Sequence, residues 1–496
     1  MTHIPRPRSG TSMRLVMTSV LTQGLAAFCR RSGRWLRWVL PLSLAACAQV
    51  PPLPDANLPK AERFRQAPAD RGAQALAELE RDPRAAQDWW AVLGDPVLND
   101  LQNQLLQGSP SLQLLSAQTR QAQAILVGAQ ASLWPSLNLN TGVTRSANQL
   151  TALQGTAYTL SAPLTWQIDL WGQLDAQIQA ALASLEATRD DWAAGRRAAQ
   201  STLVQTYVSL RTAERQLDAL MRAEQAYQRS LDLTLARRQA GVASGTDVAQ
   251  AETQLASTRA QRIDMSTQRA QLENAVAVLL GQPPAKIGVP PLAAQALARG
   301  PEEPLDLPAN IPANLLDQRP DLQAAKRRFE AANAQVGVAE AAFFPTVTFN
   351  ATAGYRSREL GNMVSSGNQF WSVGPGLAVN LFDFGQRRAA RAQALAARDV
   401  ALANYRQAVL NAYQQVEDNL VAVVQLKQQE QAQKLAWEAA RRNLDLTQAQ
   451  YLAGTVSYLN VVTAQTSALS AERAWLDVQS RRWLATNTLM AAGLRF

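Results

Sequence analysis

Apolar residues recur at steps of three and four through residues 173–282, a tract of the sequence without proline. Within 175–240 the only glycine is Gly195, and Gly241 follows directly. The positions that keep the rhythm are Ile178, Leu182, Leu185, Leu203, Tyr207, Leu210, Leu217, Leu220, Tyr227, Leu231 and Leu235. This period predicts one continuous helix with a buried seam. At 1.5 Å per residue the helix is roughly 100 Å long, which no compact core requires.

A second pattern, the alternation of apolar and polar residues, occupies four shorter stretches of the chain. Their apolar positions are Leu137, Leu139, Thr141 and Val143; Tyr158, Leu160, Ala162 and Leu164; Val347, Phe349, Ala351, Ala353 and Tyr355; Trp371, Val373, Leu377, Val379 and Leu381. A period of two predicts strands with one apolar and one polar face. Strands of about 10 residues are long enough to span a bilayer.

The chain contains two copies of one unit. Residues 109–112 recur at 319–322 and residues 133–136 at 343–346, whereas 169–173 match 382–386 and Ala240-Gly241 matches Ala453-Gly454. Internal repetition of this kind defines the architecture before any fold is considered. Each copy has a leading helix, two strands, a long helix and a return helix. We therefore predict a mainly α protein with some β structure, built from tandem coiled-coil-like helical hairpins.

The repeat fixes the predicted boundaries. Residues 1–46 form an export signal, 47–87 a tether and loop, 88–282 the first repeat, 283–318 a proline-rich linker and 319–496 the second repeat. The predicted helices cover 109–132, 175–240, 246–280, 320–343, 386–453 and 458–492. The helix that opens near Pro96 is expected to continue past Ser109-Pro110. The leading and return helices together nearly equal the long helix, so they are expected to flank it end to end.

The positive charge of the chain is concentrated at its start. Residues 1–46 hold seven arginines and no acid, and without them 41 basic residues face 39 acidic ones. The high isoelectric point therefore gives no support to nucleic-acid binding. The basic stretch and the apolar run 35–46 are typical of an export signal, and the run is too short to span a membrane. Met13 and Met17 are alternatives to Met1 as the true start.

The segment Leu44-Ala45-Ala46-Cys47 resembles the bacterial lipobox, in which cleavage before the cysteine is followed by acylation of its thiol and amino group. Ala48 stands where an aspartate would favour retention in the inner membrane, so the outer membrane is expected. Four prolines in 48–60 predict an extended tether from the lipid.

Cleavage would leave little catalytic chemistry. The only histidine, His3, and Cys29 lie in the removed segment, and Cys47 would be blocked by lipid. That excludes histidine-based triads, cysteine nucleophiles and the usual zinc ligand sets. Phosphate-binding and nucleophile-elbow motifs are also missing from the sequence. We predict no enzyme, no metal and no cofactor.

Four strands cannot close a transmembrane barrel, because the known bacterial barrels begin at eight. An open sheet in lipid leaves unpaired edge groups that each cost several kcal/mol. Three chains supply 12 strands, although two chains would also close on counting alone. The alternative is a soluble coiled-coil lipoprotein whose alternating segments form an ordinary half-buried sheet.

Four motifs together indicate a family. They are the lipobox; Trp89-Trp90 with Asp95-Pro96-Val97-Leu98-Asn99-Asp100-Leu101; Arg319-Pro320-Asp321-Leu322 leading to Ala341-Ala342-Phe343-Phe344-Pro345; and Tyr451-Leu452-Ala453-Gly454-Thr455-Val456-Ser457-Tyr458-Leu459 leading to Ala464-Gln465. Over residues 47–494 the chain resembles the outer-membrane efflux lipoproteins of the TolC family, in the branch that serves resistance-nodulation-division pumps.

The resemblance implies a homotrimer with a 12-stranded barrel in outer-membrane lipid and an α-barrel tunnel in the periplasm. A periplasmic adaptor and an inner-membrane pump of the resistance-nodulation-division class are the implied partners, with no nucleic acid and no nucleotide use. The channel would conduct small molecules such as drugs. A conduit for type I protein secretion and a static envelope scaffold remain alternatives, and the sequence does not give the substrate, the adaptor or the pump.

The resemblance also implies that the two hairpin turns form a periplasmic aperture that contacts the adaptor. Its candidate residues are Arg238, Gly241, Gly245, Thr246, Asp247, Tyr451, Gly454, Val456, Ser457 and Tyr458. Asp247, tripled by symmetry, either forms an acidic ring that holds the tip shut or only caps the return helix. Thr455-Val456 stand where some relatives carry an acid, so no acidic gate is implied at the second tip. Tyr451 and Arg238 either lock neighbouring helices or are a seam tyrosine and a solvated arginine.

Large aromatic residues flank the ends of the predicted strands. They are Trp134, Trp166, Trp171, Phe343, Phe344, Trp371, Phe382 and Phe384. Such residues are typical of the aromatic girdle at a membrane interface. Some of them are expected to pack where the strands meet the helices.

Overall fold

The computed structural model describes residues 50–58, 64, 89–148, 153–292 and 318–492. Contacts divide the chain into two compact units. The sheet unit holds Pro135–Ala176 and Gly337–Asp383, and the helical unit holds Pro51–Trp134, Gln177–Val336 and Phe384–Phe496. Each unit therefore combines segments from both sequence repeats. Cys47, the predicted export signal and residues 293–317 of the predicted linker lie outside the described residues.

Helices make up most of the described chain. They are α1 (Pro96–Gly108), α2 (Pro110–Ala131), α3 (Gln173–Gln239), α4 (Gly245–Leu279), α5 (Pro320–Ala341), α6 (Gln386–Leu452) and α7 (Tyr458–Ala491). The two long helices, α3 and α6, have 67 residues each, which corresponds to roughly 100 Å. The helical period of the sequence therefore predicted the position of each long helix to within two residues.

The expectation of one continuous helix from Pro96 to the region of Ser132 was wrong. Ser109 interrupts it with φ −61° and ψ 120°, an extended backbone conformation. The cause is Pro110, whose ring excludes the helical conformation from the residue before it. Pro110 then begins α2, at a position where its missing N–H is not needed.

The break between α1 and α2 is also where the return helix α4 ends. A Cβ atom on Gly108 would lie 2.5 Å from the carbonyl oxygen of Leu280, and one on Gly281 would lie 2.3 Å from the carbonyl oxygen of Gly108. Gly281 has φ +73°, the left-handed conformation that closes α4. The end of α4 thus meets the end of α1 backbone to backbone. A Cβ on Gly281 would also lie 2.9 Å from the ring of Pro110, so α4 ends where α2 begins, in agreement with the end-to-end prediction.

The sheet is antiparallel and built from β1 (Ser136–Leu137), β2 (Asn140–Asn148), β3 (Leu153–Ile168), β4 (Thr346–Ser357) and β5 (Gln369–Ala378). Strands β1 and β2 both pair with one side of β3. Strand β4 pairs with the other side of β3, and β5 pairs with β4. Four predicted strands thus appear as five, because the first is interrupted at Asn138. Asn138 faces Pro163, which has no N–H to donate to the ladder.

The strand register collects the apolar residues on one face. Leu137 pairs with Leu164, Leu164 with Ala351, and Ala351 with Val373. The neighbouring row on the other face contains Ser136, Thr165, Asn350 and Gly374. Because residues alternate between faces, every other row repeats this division. The apolar face is also open to the surroundings of the single chain, since Leu137, Val373 and Trp371 are 69%, 60% and 78% exposed.

Buried seams hold the helical unit together. The α3 seam contributes Leu203, Tyr207 and Leu210 to a cluster with Leu98 of α1 and Val276 of α4. The α6 seam contributes Tyr405, Val409, Ala412, Val416, Leu420 and Val423 to a second cluster. The seam prediction fails at two positions of α3, because Leu182 and Leu235 are exposed in the single chain.

The described part of the predicted tether is docked on the helical unit. The side-chain amide of Asn333 in α5 donates to the carbonyl oxygen of Pro51 at 2.7 Å, and the Arg406 guanidinium in α6 donates to that of Ala56 at 2.7 Å. Phe64 is 2% exposed and its ring lies 5.9 Å from the ring of Tyr413. The extended segment predicted after Cys47 is therefore a strap bound to the second repeat.

Candidate functional site

The first hairpin tip joins α3 to α4 through Gly241. Gly241 has φ +74°, its N–H donates to the carbonyl oxygen of Arg238 at 2.9 Å, and the N–H of Val242 donates to that of Arg237 at 2.9 Å. This pattern ends a helix with a residue in the left-handed region, which glycine adopts without strain. Gly245 and Thr246, both exposed, begin α4 directly afterwards.

Asp247 takes part in a reciprocal cap at the start of α4. Its carboxylate accepts from the backbone N–H of Ser244 at 2.9 Å, and the hydroxyl oxygen of Ser244 accepts from the N–H of Asp247 at 3.1 Å. Two otherwise unpaired donors at the helix start are satisfied in this way. The capping role of Asp247 is therefore present in the structure, and the acidic ring stays a prediction.

The second tip repeats the turn but not the cap. Gly454 has φ +77°, and its N–H donates to the carbonyl oxygen of Tyr451 at 3.0 Å. The hydroxyl of Thr455 donates to the carbonyl oxygen of Gln450 at 3.0 Å. Ser457 precedes α7 without a side-chain cap, and the first turn of α7 holds no acid. The two repeats thus place different chemistry on the same backbone turn.

The two tips pack against each other through a common apolar cluster. Tyr227, Leu231, Val248, Ala251 and Leu255 come from the first hairpin, and Tyr451, Tyr458 and Val461 from the second. The rings of Tyr451 and Tyr458 lie 5.3 Å apart at 62°. The Tyr227 hydroxyl donates to the carbonyl oxygen of Gln465 at 3.0 Å. Val456, half-buried, packs against the same cluster.

Arg237, one residue before the predicted Arg238, joins the two tips by polar contacts. One guanidinium nitrogen of Arg237 donates to the carbonyl oxygens of Tyr451 at 3.3 Å and Leu452 at 3.4 Å. The guanidinium carbon lies 4.8 Å from the centre of the Tyr451 ring, within cation–π range. Carbonyl groups at the end of a helix lack intrahelical partners and favour a nearby cation. Arg238, in contrast, is exposed.

Arg238 was predicted from its position within one turn of the tip glycine Gly241, a position that Arg237 shares. Thr234 is fully buried in α3, and the next seam residue can follow after three or four steps. In the structure the seam continues three positions after Thr234, at the half-buried Arg237, whereas Arg238 is exposed. Tyr451 is a buried seam tyrosine, as one of the two alternatives held, and its hydroxyl has no hydrogen-bond partner among the described residues.

The predicted aromatic residues fall into two groups. Trp171 and Phe344 pack on each other, with rings stacked 5.1 Å apart, and the Trp171 indole donates to the carbonyl oxygen of Pro345 at 2.6 Å. Trp166 is half-buried and Phe343 is partly exposed. The most exposed of the set are Trp134, Trp371, Phe382 and Phe384. Phe384 has φ +49°, which is uncommon for a residue other than glycine.

The described residues carry no grouping of three or more histidine, cysteine, aspartate or glutamate side chains that could hold a metal ion. None of the helices in the same part of the chain is both long and apolar enough to cross a membrane.

Long helical hairpins joined by tight turns, together with a sheet that has one exposed apolar face, are the architecture of a class of proteins, the outer-membrane efflux channels. The family model described as outer membrane efflux protein matches residues 101–282 and 311–493 of the sequence. The first matched segment lies in the first repeat, and the second begins near the end of the predicted linker and covers most of the second repeat. The chain belongs to the outer membrane efflux protein family.

Individual relatives agree with the family. The chain is 29% identical to the outer membrane protein OprJ of Pseudomonas aeruginosa, over 92% of this chain and 94% of the relative. It is 30% identical to the pyoverdine export outer membrane protein OpmQ of the same organism, over 91% and 94%. The solved structure of the outer-membrane channel OprN matches with a TM-score of 0.78 and 28% identity, over 89% of this chain and 98% of that one.

Because these matches extend over nearly the whole chain, they support the same activity as well as the same fold. The protein is an outer-membrane efflux channel, and as a member of this family it is not an enzyme. The residues that matter for its function are therefore those that line the channel, those that close it and those that contact other proteins.

Proposed function

We propose that the protein closes as a homotrimer and serves as the outer-membrane channel of a tripartite efflux system. The observation that carries the proposal is the sheet: one face is apolar and exposed, and both edges, β5 on one side and β1 with β2 on the other, are unpaired within the described residues. Unpaired edge groups cannot be left in lipid. Three copies supply the strands of a 12-stranded barrel and remove all edges.

In this arrangement the apolar face of the sheet contacts outer-membrane lipid. The exposed aromatic residues Trp134, Trp371, Phe382 and Phe384 would then form part of the interfacial girdle. The packed pair Trp171 and Phe344 has a different role, because its stacking holds the two repeats together within the sheet unit. The helical hairpins would form the periplasmic α-barrel tunnel, with the lipid on Cys47 as a second membrane attachment.

The proposed partners are a periplasmic adaptor, which would contact the hairpin tips, and an inner-membrane pump of the resistance-nodulation-division class. Relatives bear the names of pyoverdine export, toluene efflux and antibiotic efflux proteins. We therefore assign small molecules, drugs among them, as the cargo of this channel. Energy for transport would come from the pump, because the channel has no nucleotide-binding motif.

The proposal is tested with the purified protein in detergent and in planar bilayers. Light scattering should give three chains per particle, and the reconstituted protein should conduct ions. Two chains per particle would reject the 12-stranded closure, and a particle without conductance would favour the scaffold alternative. In cells, a deletion should raise accumulation of small toxic compounds. Loss of a secreted protein instead would favour type I secretion.

Replacement of Asp247 separates the two roles given to this residue. Asp247→Ala is expected to raise the passive conductance of the tip, and Asp247→Asn should do the same and lower cation preference, because both remove charge from a ring of three. Ser244→Ala is the matched control, since it breaks the cap, worth about 1 kcal/mol, and keeps the carboxylate. Equal conductance of Asp247→Asn and the wild type would leave only the capping role.

Removal of the Arg237 side chain should loosen the contact between the two tips. Two long hydrogen bonds and one cation–π contact are together worth about 1 kcal/mol, so Arg237→Ala is expected to raise the open fraction by about fivefold. Single-channel recording measures this fraction. Arg238→Ala is the control, because the side chain of Arg238 is exposed. An effect of Arg238→Ala as large as that of Arg237→Ala would contradict the assignment.

A further inference from the structure

The polar face of the sheet, the face that contains Thr165 and Asn350, is almost uncharged. Where the structure describes its side chains, they are those of serine, threonine, asparagine, glutamine, glycine, alanine and proline, with two exceptions. The exceptions are Arg356 of β4 and Phe370 of β5, the one charged and the one aromatic residue on the described part of this face. A cation on an otherwise neutral surface dominates the local electrostatic potential.

Arg356 and Phe370 contact each other across two strands. Phe370 pairs with Gly354, two residues before Arg356, so the two side chains are diagonal neighbours on one face. The guanidinium carbon of Arg356 lies 5.4 Å from the centre of the Phe370 ring, within cation–π range. Phe370 is half-buried and Arg356 is exposed. The ring therefore supports the guanidinium on one side, while the N–H donors of Arg356 remain accessible to solvent.

The sheet offers Arg356 little competition from acids. Residues 136–168 and 346–378, which include all five strands, contain one acidic residue, Glu359. Glu359 lies in the loop after β4, next to Arg358, whose charge balances it. Within the described residues Arg356 has no carboxylate partner. The charge that remains on the polar face is thus the positive charge of Arg356.

The pair lies at the end of the strands that is farther from the helices along the chain. Strand β4 begins at Thr346, five residues after α5 ends, and Arg356 follows ten residues later, about 34 Å along the strand. Strand β5 runs back toward α6, so Phe370, near its start, lies at the same end. In the proposed trimer the helices extend into the periplasm, and this end of the sheet is then the outer mouth of the channel.

We propose that Arg356 is a contact for anionic cargo at the outer mouth of the channel, and that Phe370 is its positioning residue. The inference rests on the proposed function, because closure of the sheet with its apolar face in lipid turns the polar face toward the lumen. Three copies then place three guanidinium groups around one opening, and rings of arginine favour anions. A guanidinium binds a carboxylate through two parallel N–H donors, so the favoured cargo is small molecules that carry a carboxylate.

The test compares the ion preference of the full-length, reconstituted protein and its variants. Arg356→Gln should lower the permeability ratio of chloride to potassium by about two- to threefold at about 0.1 M salt, where the screening length is about 10 Å. At about 1 M salt the difference should shrink, because the screening length falls to about 3 Å. Arg356→Lys keeps the charge and should keep the ratio of the wild type.

Arg145 provides the matched control, because it is an exposed arginine on the opposite face of the same sheet. It pairs with Thr156 of β3, whereas Arg356 pairs with Thr159, three residues further along. An odd separation places the two arginines on opposite faces. Arg145→Gln should therefore leave the chloride ratio unchanged. A ratio that is the same in Arg356→Gln and the wild type, or that falls equally in Arg145→Gln, would overturn the proposal.

Two substitutions test the positioning role of Phe370. Phe370→Tyr keeps the ring and should keep the chloride ratio of the wild type. Phe370→Leu removes the cation–π contact, so its ratio should lie between those of the wild type and Arg356→Gln. A ratio for Phe370→Leu equal to that of the wild type would show that the ring does not position Arg356.

A second measurement does not need conductance. Saturation-transfer NMR detects weak binding of benzoate to the purified protein in detergent, and the signal should fall by about threefold in Arg356→Gln. Benzamide, which has the same ring without the charge, should give a weak signal with both proteins. Absence of conductance would count against the proposed function, and the benzoate signal then decides by itself whether Arg356 binds anions. Conductance with an unchanged chloride ratio and an unchanged benzoate signal would instead reject only the role of Arg356.

Discussion

Gly281→Ala is expected to destabilise the protein by about 3 kcal/mol, the largest effect we expect from a single methyl group in this chain. Two costs add at this position. The left-handed backbone of Gly281 costs a residue with a Cβ about 1–2 kcal/mol. The new Cβ would also lie 2.3 Å from the carbonyl oxygen of Gly108, and this backbone atom can move only if the two helix ends separate.

Substitutions at two other glycines measure separately the cost of the left-handed backbone and the cost of the steric overlap. Gly241 has nearly the same φ, +74°, with open space around it, so Gly241→Ala should cost about 1 kcal/mol. A Cβ on Gly108 meets the carbonyl oxygen of Leu280 at 2.5 Å, without a left-handed backbone, so Gly108→Ala measures the overlap alone. Denaturant unfolding followed by helical circular dichroism gives all three values. A loss for Gly281→Ala no larger than for Gly241→Ala would show that the helix ends are not in tight contact.

Cys47→Ser is expected to abolish acylation completely, since serine offers no thiol for the lipid. Radiolabelled palmitate should be incorporated into the wild type and not into the variant, and the mass of the mature chain should change accordingly. We also expect weaker retention in the outer-membrane fraction. The sheet would then provide the remaining attachment.

Cys29→Ser serves as the control for this experiment. Cys29 is the other cysteine of the sequence and lies in the segment predicted to be removed. Labelling of Cys29→Ser should equal that of the wild type. Palmitate incorporation that survives Cys47→Ser, or disappears in Cys29→Ser, would disprove the lipobox assignment.

Much of the fold could be predicted because the two hydrophobic periods are long and repeated. Each predicted helix of the two repeats lies within two residues of its predicted ends. The four alternating stretches enter the sheet, except for Leu139 in the break between β1 and β2 and Val379 and Leu381 beyond the end of β5 at Ala378. Repetition strengthened both predictions, since a pattern that occurs twice at one spacing is unlikely to be accidental. Two of the failures have a local effect of proline as their cause: Pro110 ends α1, and Pro163 interrupts the ladder opposite Asn138.

The candidate site was less predictable, because its contacts join segments that are distant in the sequence. Arg237 binds the end of α6, more than 200 residues away, and seam spacing alone could not choose between Arg237 and Arg238. The docking of residues 50–58 and Phe64 on α5 and α6 has no local signal either, since a proline-rich segment is extended whether it is bound or free.

The unpaired edges of the sheet also determine the order in which a channel of this kind can be built. In water the free N–H and C=O groups of β5 and β2 can bond to solvent, but in lipid each one costs several kcal/mol. If the sheet closes between copies as proposed, a single chain gains little by entering the bilayer alone, and chains must meet before or during insertion. Insertion should thus accelerate steeply with the concentration of exported chains. At low concentration, chains that have not yet assembled would keep these strand edges exposed, and exposed edges are templates for aggregation.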